Sequence, residues 1–402
     1  MARSSASSSE RLARTGLPTA GSRVYLDYAG FSPVDPRVVA VMRPFFEGGV
    51  GNPNAQHSLG LEARASLDGA RAKVARLFAA TPNGVIFTAS ATEANNLAVK
   101  GLAQRATGQH IVTSAIEHIS LIDSCRDLEK RGWSVTYVGV DAEGRVDPEA
   151  VASAIRADTA LVSIMAANNE IGTIQPVREI GRIARARGVP FHVDAVGAAG
   201  RVPLAVDDCR IDLLTLSSND LYGPPGAGAL WARANVKLAP LTVGGGQEHG
   251  YRAGTENLPA IAGMGVAADL ARVEIAAEAT RLRELRDRLL DGLLARVPGA
   301  RQTGAAGADR LPQNASIVVP GMKAESVLTD LDLRGIAASS GATCTAMTGE
   351  PSHVLRAIGC DRDTAESSLC FTLGRWTTAS EIDLVLDAVP AVVARLRRLA
   401  SP

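Results

Sequence analysis

Short apolar runs alternate with amphipathic segments along the first two thirds of the chain. Apolar runs of about four residues bounded by turn residues are typical of buried strands, and apolar residues spaced three and four apart are typical of helices. The runs predicted as strands lie at 85–88, 110–113, 135–138, 161–164, 191–194, 213–216 and 229–231. Helices are predicted between them at 93–102, 120–131 and 177–187. Strands separated by helices predict right-handed crossovers, and therefore an α/β fold whose mostly parallel sheet is covered on both faces.

The pattern changes near residue 270. A long helix is predicted at 273–297, a short strand at 315–319, and a last helix that begins with a capping box from Thr378 to Glu381. We therefore predict a large α/β domain at 35–270 and a smaller α+β domain formed by 23–34 with 271–402. The first 22 residues are rich in Ser and Arg and are predicted to be a disordered tail, with a transit peptide as the alternative.

Composition excludes several classes of function. Lys and Arg number 42, as do Asp and Glu, so bulk charge gives no reason to expect nucleic acid or an anionic membrane as a partner. No apolar run approaches the roughly 18 residues that a membrane-spanning helix needs. Five scattered cysteines, none in CxxC spacing, favour a reducing compartment, and we predict a cytoplasmic protein. They are Cys125, Cys209, Cys344, Cys360 and Cys370.

The predicted strand at 213–216 leads into a polar turn at 217–220, followed by Tyr-Gly-Pro-Pro-Gly at 222–226. Ligands in open α/β sheets bind at the carboxyl ends of strands. This segment resembles the cofactor-lysine segment of the cysteine desulfurases, pyridoxal phosphate (PLP) enzymes of the class V aminotransferase fold, in which Ser-x-His-Lys precedes Tyr-Gly-Pro-x-Gly. The resemblance covers about 23–400 and implies a PLP-dependent transferase-like fold (fold type I). It places Asp220 where the family has its covalent cofactor lysine, with Ser217 and Asn219 as cofactor contacts.

Small and hydroxyl residues follow the strand at 85–88 and open a predicted helix. Free backbone N–H groups at a helix start suit a phosphate, although Thr92 is equally explained as an ordinary helix cap. The resemblance to the desulfurase phosphate loop, Thr-x-x-Ala-Thr-Glu, implies that Ala91 and Thr92 contact the PLP phosphate.

Three further positions gain a role from the resemblance. Asp194 ends a predicted strand, where a carboxylate could cap a turn or hold a pyridine nitrogen. The family motifs imply that Asp194 binds the ring nitrogen, that His118 stacks on the ring and moves protons, and that Asn169 contacts the ring oxygen.

Two loops match family motifs that act outside the ring pocket. Gly244-Gly245-Gly246 and the segment through Thr255 resemble the loop that lends a threonine to the partner's phosphate, which implies a homodimer. The segment around Cys344 resembles the catalytic-cysteine loop, whose thiolate becomes a persulfide at the expense of L-cysteine. Its small neighbours favour an accessible, reactive thiol over a buried, inert one.

The chain departs from the family pattern at four positions that the resemblance places in one pocket. Aspartate at 220 has no nucleophilic nitrogen to capture the cofactor aldehyde. Cys370 stands where the family has an arginine for the substrate carboxylate, and a neutral thiol does not replace that bidentate clamp. Asn219 and Gly197 replace a histidine and a glutamine.

Three functions remain compatible with this pattern. The first is a desulfurase homologue impaired in standard catalysis that keeps Cys344 as a persulfide carrier, or as a ligand to an iron–sulfur cluster shared with a scaffold or sulfur-acceptor protein. The second is an active desulfurase or related lyase that binds PLP without a covalent bond and uses Asp220 and His118 for proton transfer. The third is a non-catalytic subunit that pairs with an active desulfurase.

Overall fold

A computed structural model describes residues 23–48, 51–341 and 350–400 of the chain. Twelve strands and eleven α-helices are formed within these residues. The strands are β1 (Val24–Tyr25), β2 (Val85–Thr88), β3 (His110–Ser114), β4 (Ser134–Val138), β5 (Thr159–Ser163), β6 (Phe191–Asp194), β7 (Leu213–Ser217), β8 (Gly228–Ala232), β9 (Arg301–Gln302), β10 (Asn314–Val318), β11 (Ile336–Ala337) and β12 (Ser368–Thr372). The helices are α1 (Pro36–Met42), α2 (Ser58–Leu77), α3 (Ala91–Asn96), α4 (Ile119–Glu129), α5 (Pro148–Ala154), α6 (Val177–Ala186), α7 (Leu258–Arg296), α8 (Ala324–Leu333), α9 (His353–Ala357), α10 (Arg362–Ala365) and α11 (Ala379–Ala400).

A seven-stranded sheet in the order β2-β8-β7-β6-β5-β3-β4 forms the centre of the fold. Strand β8 runs antiparallel to both β2 and β7, and the other neighbours in the sheet are parallel. Every residue of β2, β3, β6 and β8 is buried, as expected when helices cover both faces of a sheet. The α/β fold with a mostly parallel sheet is therefore confirmed, and each predicted strand is found within two residues of its expected bounds.

Helix α7 differs most from its prediction, because it begins at Leu258 rather than at residue 273. Residues 258–271 of this helix are rich in Ala and Gly and buried on nearly every side, so they lack the one-sided apolar stripe by which helices are detected. A side chain at Gly265 would come within 2.6 Å of the Ala70 Cα, so this glycine permits α2 and α7 to pack closely.

The C-terminal third adds a second apolar core. A three-stranded antiparallel sheet, β12-β10-β9, lies here, and β1 pairs in parallel with β11. This core contains Leu26 together with Leu289, Phe371 and Val389. The capping box at the start of α11 is confirmed, because the Thr378 N–H donates to Glu381 and the Glu381 N–H donates to the Thr378 hydroxyl at 3.3 Å. The domain boundaries stay a prediction, since α7 runs unbroken through residue 270.

Two kinds of feature are absent from the described residues. None of the helices in 23–48, 51–341 and 350–400 is long and apolar enough to cross a membrane. Within the same ranges, no group of three or more His, Cys, Asp or Glu side chains is arranged to hold a metal ion.

Candidate functional site

The turn that follows β7 is held by aromatic and cationic side chains. Residues Asn219–Leu221 form one 3₁₀ turn, which ends at Tyr222 in the left-handed conformation with φ of 62°. The guanidinium groups of Arg201 and Arg375 contact the Tyr222 ring at 4.7 Å and 4.8 Å from its centroid, and the Tyr222 hydroxyl accepts a hydrogen bond from the Arg375 backbone N–H at 3.0 Å. Two cation–π contacts and a bonded hydroxyl therefore fix the Tyr222 side chain at the end of the turn.

Asp220 is a partly buried carboxyl group within this turn. Its pKa is raised to about 6, mainly by burial and to a smaller extent by the Asp194 carboxylate, against the opposing effects of the Ser217 hydroxyl and the Arg201 cation. Arg201 also donates to the Asp220 carbonyl oxygen at 3.3 Å. Asp220 and Asp194 therefore interact electrostatically, as expected for residues at the carboxyl ends of adjacent strands β7 and β6.

The Asn219 side chain is committed to the segment that follows β1. Its Oδ1 accepts from the Ser32 N–H at 3.0 Å, and its Nδ2 donates to the Ser32 carbonyl at 2.8 Å. This two-point pairing joins the turn to a residue 187 positions earlier. The predicted contact of Asn219 with a cofactor remains a prediction.

Asp194 and His118 belong to one buried hydrogen-bond chain. Asp194 Oδ1 accepts from the Val196 N–H at 3.0 Å, and its Oδ2 accepts from Asn95 Nδ2 at 2.8 Å. The same Nδ2 donates to the Ser120 hydroxyl at 3.0 Å, which lies 2.8 Å from His118 Nδ1. The sequence alone indicated no role for Asn95 or Ser120, although each lies within three residues of a predicted site residue, Thr92 or His118.

The start of α3 lies against β8. The helix cap is Ser90, whose hydroxyl accepts from the Glu93 N–H at 3.2 Å, so the alternative of Thr92 as the cap is wrong. Thr92 is exposed and Ala91 half-buried. A side chain at Gly228 of β8 would come within 2.8 Å of the Ala91 nitrogen, so only glycine permits this approach.

The loop that carries Thr255 is tied to the same helix. Arg252 pairs with Glu93 at 3.0 Å, and Glu93 also accepts from the Ala89 N–H at 2.7 Å. Thr255 itself is exposed. The structure thus brings the loop and the candidate phosphate residues of one chain together, and the action of Thr255 on a partner chain stays a prediction.

A small cavity is lined by both His118 and Asn169, together with Glu117, Glu170 and Gly341. Burial raises the pKa of Glu117 to about 8 and that of Glu170 to about 7. Glu117 Oε1 accepts from Ser114 and from the Met165 N–H, whereas its Oε2 is buried without a partner among the described residues. Neither glutamate was selected from the sequence, because their burial depends on contacts far along the chain.

Cys370 lies beside this cavity on β12 and is 1% exposed. Its Sγ donates to the Glu170 carbonyl at 3.4 Å and accepts from Asn314 Nδ2 at 3.6 Å. Burial, with Glu170 adding to it, raises the pKa of Cys370 to about 12, so the group is a neutral thiol. A buried cation, Arg310, weakly opposes this shift.

Arg310 directs its guanidinium N–H groups at neutral acceptors. They are the carbonyl oxygens of Thr303, Ala305 and Asn314, the Asn314 side-chain oxygen and the Ser316 hydroxyl, all within 2.9 Å. A guanidinium has five N–H donors, so the described contacts occupy the full set. Cys344, the predicted persulfide and cluster ligand, lies outside the described residues.

The sequence profile described as Aminotransferase class-V matches residues 24–385. The chain belongs to the class-V aminotransferase family. Cysteine desulfurase IscS 1 of Archaeoglobus fulgidus is 44% identical over 378 residues, which cover 94% of this chain and 98% of the relative. Among solved structures, a NifS-like protein superposes with a TM-score of 0.86 at 34% identity, covering 93% of this chain and all of that one. SspA in complex with cysteine superposes with a TM-score of 0.78, also at 34% identity, covering 88% of this chain and 100% of that one.

These matches confirm that this family member is a cysteine desulfurase homologue with the fold type I architecture, for which PLP is the expected cofactor. The residues fit PLP at two ends. The Ser90–Thr92 segment forms a helix start packed against Gly228 of β8, and its backbone N–H groups suit a phosphate. The buried carboxylate of Asp194 suits a protonated ring nitrogen. They do not fit a covalent bond in the turn after β7, because its acidic side chain carries no amine.

The five lysines of the chain lie in other elements. Lys100 pairs with Asp127 at 3.0 Å, and Lys323 pairs with Glu366. Lys237 lines a cavity with Gly108 and Pro190, which precede β3 and β6, at the sheet edge away from the candidate site. The remaining two are Lys73 on α2 and Lys130 at the end of α4.

Proposed function

We propose that this class-V family member acts in sulfur transfer for iron–sulfur cluster assembly, with standard lysine-dependent PLP catalysis impaired. The observation that carries the proposal is Asp220: a carboxyl group with a raised pKa, in electrostatic contact with Asp194, stands in the turn where the family resemblance places the cofactor lysine. A carboxyl group can give or take a proton, but it cannot form the carbon–nitrogen bond that an amine forms with an aldehyde.

The chain retains residues suited to PLP without that bond. Ala91 and Thr92 would hold the phosphate, Asp194 the ring nitrogen and Asn169 the ring oxygen, with His118 stacked on the ring. PLP, when bound, supplies an electron sink for chemistry at an amino acid. Asp220, with a pKa of about 6, holds a proton in part of the molecules at neutral pH, so it can act as an acid or a base next to the ring.

The pocket is poorly suited to the carboxylate of L-cysteine. Cys370 is a neutral buried thiol and offers no positive charge. The nearby Arg310 has its N–H groups committed to neutral acceptors, so it is not free to replace the family's arginine. Losing one partner of a charged pair costs about 2–5 kcal/mol, or roughly 30-fold to several-thousand-fold in affinity.

Cys344 would be the residue that carries sulfur. Its thiolate would attack the outer sulfur of a donor persulfide, which releases the donor thiolate and leaves Cys344 as the persulfide, or it would ligate an iron–sulfur cluster held by a scaffold or acceptor protein. A homodimer is part of this proposal, and the exposure of Thr255 within a loop tied to α3 supports it, since an exposed threonine is accessible to a second chain.

A second candidate is an active desulfurase that uses PLP bound without a covalent link. The intact chain of hydrogen bonds from Asp194 to His118 favours it, because a site free of functional demands would not need to keep both groups oriented. SspA, one of the matching structures, is described in complex with cysteine, which makes L-cysteine the substrate to test first.

The visible absorbance of the purified protein tests for a covalent cofactor bond, and the rate of sulfide release from L-cysteine separates the two candidates. We expect no PLP absorbance band that survives desalting and none that is trapped by borohydride; a borohydride-trapped adduct on a lysine would overturn the proposal.

Sulfide release from L-cysteine should be slow in the wild type and absent in Cys344→Ala. Asp220→Lys should raise it only partly, and Asp220→Lys with Cys370→Arg should raise it further. A full rate from Asp220→Lys alone would contradict the importance given to Cys370.

A further inference from the structure

Asn95 occupies the centre of the buried hydrogen-bond chain. It is 0% exposed, and its single Nδ2 group donates to two acceptors, Asp194 Oδ2 at 2.8 Å and the Ser120 hydroxyl at 3.0 Å. Its Oδ1 is buried and has no partner among the described residues. A buried amide oxygen without a partner carries a free-energy cost, so some other demand must keep an amide at this position.

The donor–acceptor pattern explains why that group must be an amide. The Asp194 carboxylate offers only acceptor oxygens, and the Ser120 hydroxyl has to keep its own proton for His118 Nδ1. Nδ1 also accepts from the Ser120 N–H at 3.2 Å, so it carries no proton in the neutral ring. The ring proton then lies on Nε2. An amide nitrogen, with two N–H groups, satisfies both acceptors at once, whereas a carboxylate at the same place would repel Asp194.

We propose that Asn95 is a positioning residue that holds the carboxylate of Asp194 and, through Ser120, the imidazole of His118 in one fixed arrangement toward a shared ligand ring. This inference rests on the proposed PLP site, because it assigns that site's ring contacts to a common support. Helix α3 carries Asn95 four residues after Ala91, so the same short helix would set both the phosphate end and the ring end of the ligand.

The first test uses protein without cofactor. Asn95→Asp places a carboxylate against Asp194 and should lower the urea midpoint, and Asp194→Asn alone should also lower it. The double variant Asn95→Asp with Asp194→Asn places the donor amide at 194 and the acceptor carboxylate at 95. Its urea midpoint should therefore recover toward that of the wild type. Asn96→Asp is the matched control, because Asn96 lies on the same helix but donates to the Thr92 carbonyl instead. If the decrease in urea midpoint of the double variant equals the sum of the decreases in the two single variants, the proposal is overturned.

The second test measures binding rather than turnover. PLP titrated into the folded variants by difference absorbance should show a dissociation constant at least about tenfold higher in Asn95→Asp and in Asn95→Leu, and little change in Asn96→Asp. Nitrogen NMR of the six histidines, with His118→Gln for assignment, should show the Nε2–H form of His118.

The two tests separate the two proposals. If the wild type binds no PLP, the proposed cofactor site fails, while the urea midpoints and the His118 proton position still decide the role of Asn95. Wild-type PLP affinity in a folded Asn95→Leu variant, or an Nδ1–H form of His118, would overturn the positioning role and leave the PLP site standing.

Discussion

Replacing Asp220 with asparagine tests the raised pKa on which the proposed function depends. The pKa of this carboxyl group is about 6 in the folded protein, against about 3.9 for an unperturbed aspartate. The folded state therefore binds the proton more tightly than the unfolded state. Stability from this group is complete below about pH 4 and is lost as the pH rises through 6. The asparagine side chain of the variant does not titrate, so the variant should lack this loss.

The magnitude follows from the size of the shift. Two pKa units correspond to about 3 kcal/mol, and partial exposure of the side chain reduces this to about 1–2 kcal/mol. Relative to the wild type, Asp220→Asn should gain this stability between about pH 4 and pH 7. Urea unfolding of the cofactor-free protein across that range measures the difference. Asp291→Asn, an exposed position on α7, is the control.

The refuting result is a constant difference. If Asp220→Asn and the wild type differ by the same free energy of unfolding at every pH, the carboxyl group titrates in its ordinary range. It would then be a solvated turn residue, and the acid–base role proposed for it next to the PLP ring would have no basis.

Three further predictions concern the supports of the site. Glu117→Gln should remove a loss of stability that the wild type suffers as the pH rises from about 5 through 8, because burial raises the pKa of Glu117 to about 8; parallel pH curves would contradict this. Glu248→Ala should cost about 3–5 kcal/mol in urea unfolding, because Arg71 lies in a buried two-point pair with Glu248 at 2.8 Å; a loss below about 1 kcal/mol would refute it. Tyr222→Phe should cost about 1 kcal/mol through the lost hydroxyl acceptor, and an unchanged urea midpoint would count against it.

Local patterns predicted the parts of this fold that depend on local spacing. Strand β6 was found at its predicted bounds, and the capping box of α11 was found as its two residues indicated. The early start of α7 was missed because an Ala/Gly-rich segment buried on nearly every side has no broad polar face to reveal it. The helix cap at Ser90 was missed because Thr92, two residues on, is an equally good cap by type.

The side-chain contacts of the candidate site could be predicted even less well from local sequence patterns. Asp194 and His118 could be selected because each lies in a recognisable motif, but the Asn95 and Ser120 bonds that join them appear only once β6, α3 and α4 are packed. Likewise, the pairing of Asn219 with Ser32 joins residues 187 positions apart, and no local pattern carries that information.

The charges around the turn after β7 explain in part how the folded pocket accommodates an aspartate at position 220. A lysine there would bring a positive charge toward Asp194, whereas Asp220 brings a second carboxyl group, and two close carboxylates do not both ionise readily. The Arg201 cation lowers the pKa of Asp220 and so offsets part of this repulsion, and protonation of Asp220 itself would remove the rest. The substitution therefore exchanges a nucleophile for a proton that is released near neutral pH. If the chain keeps any chemistry on PLP, it should be proton transfer at a ligand held by non-covalent contacts.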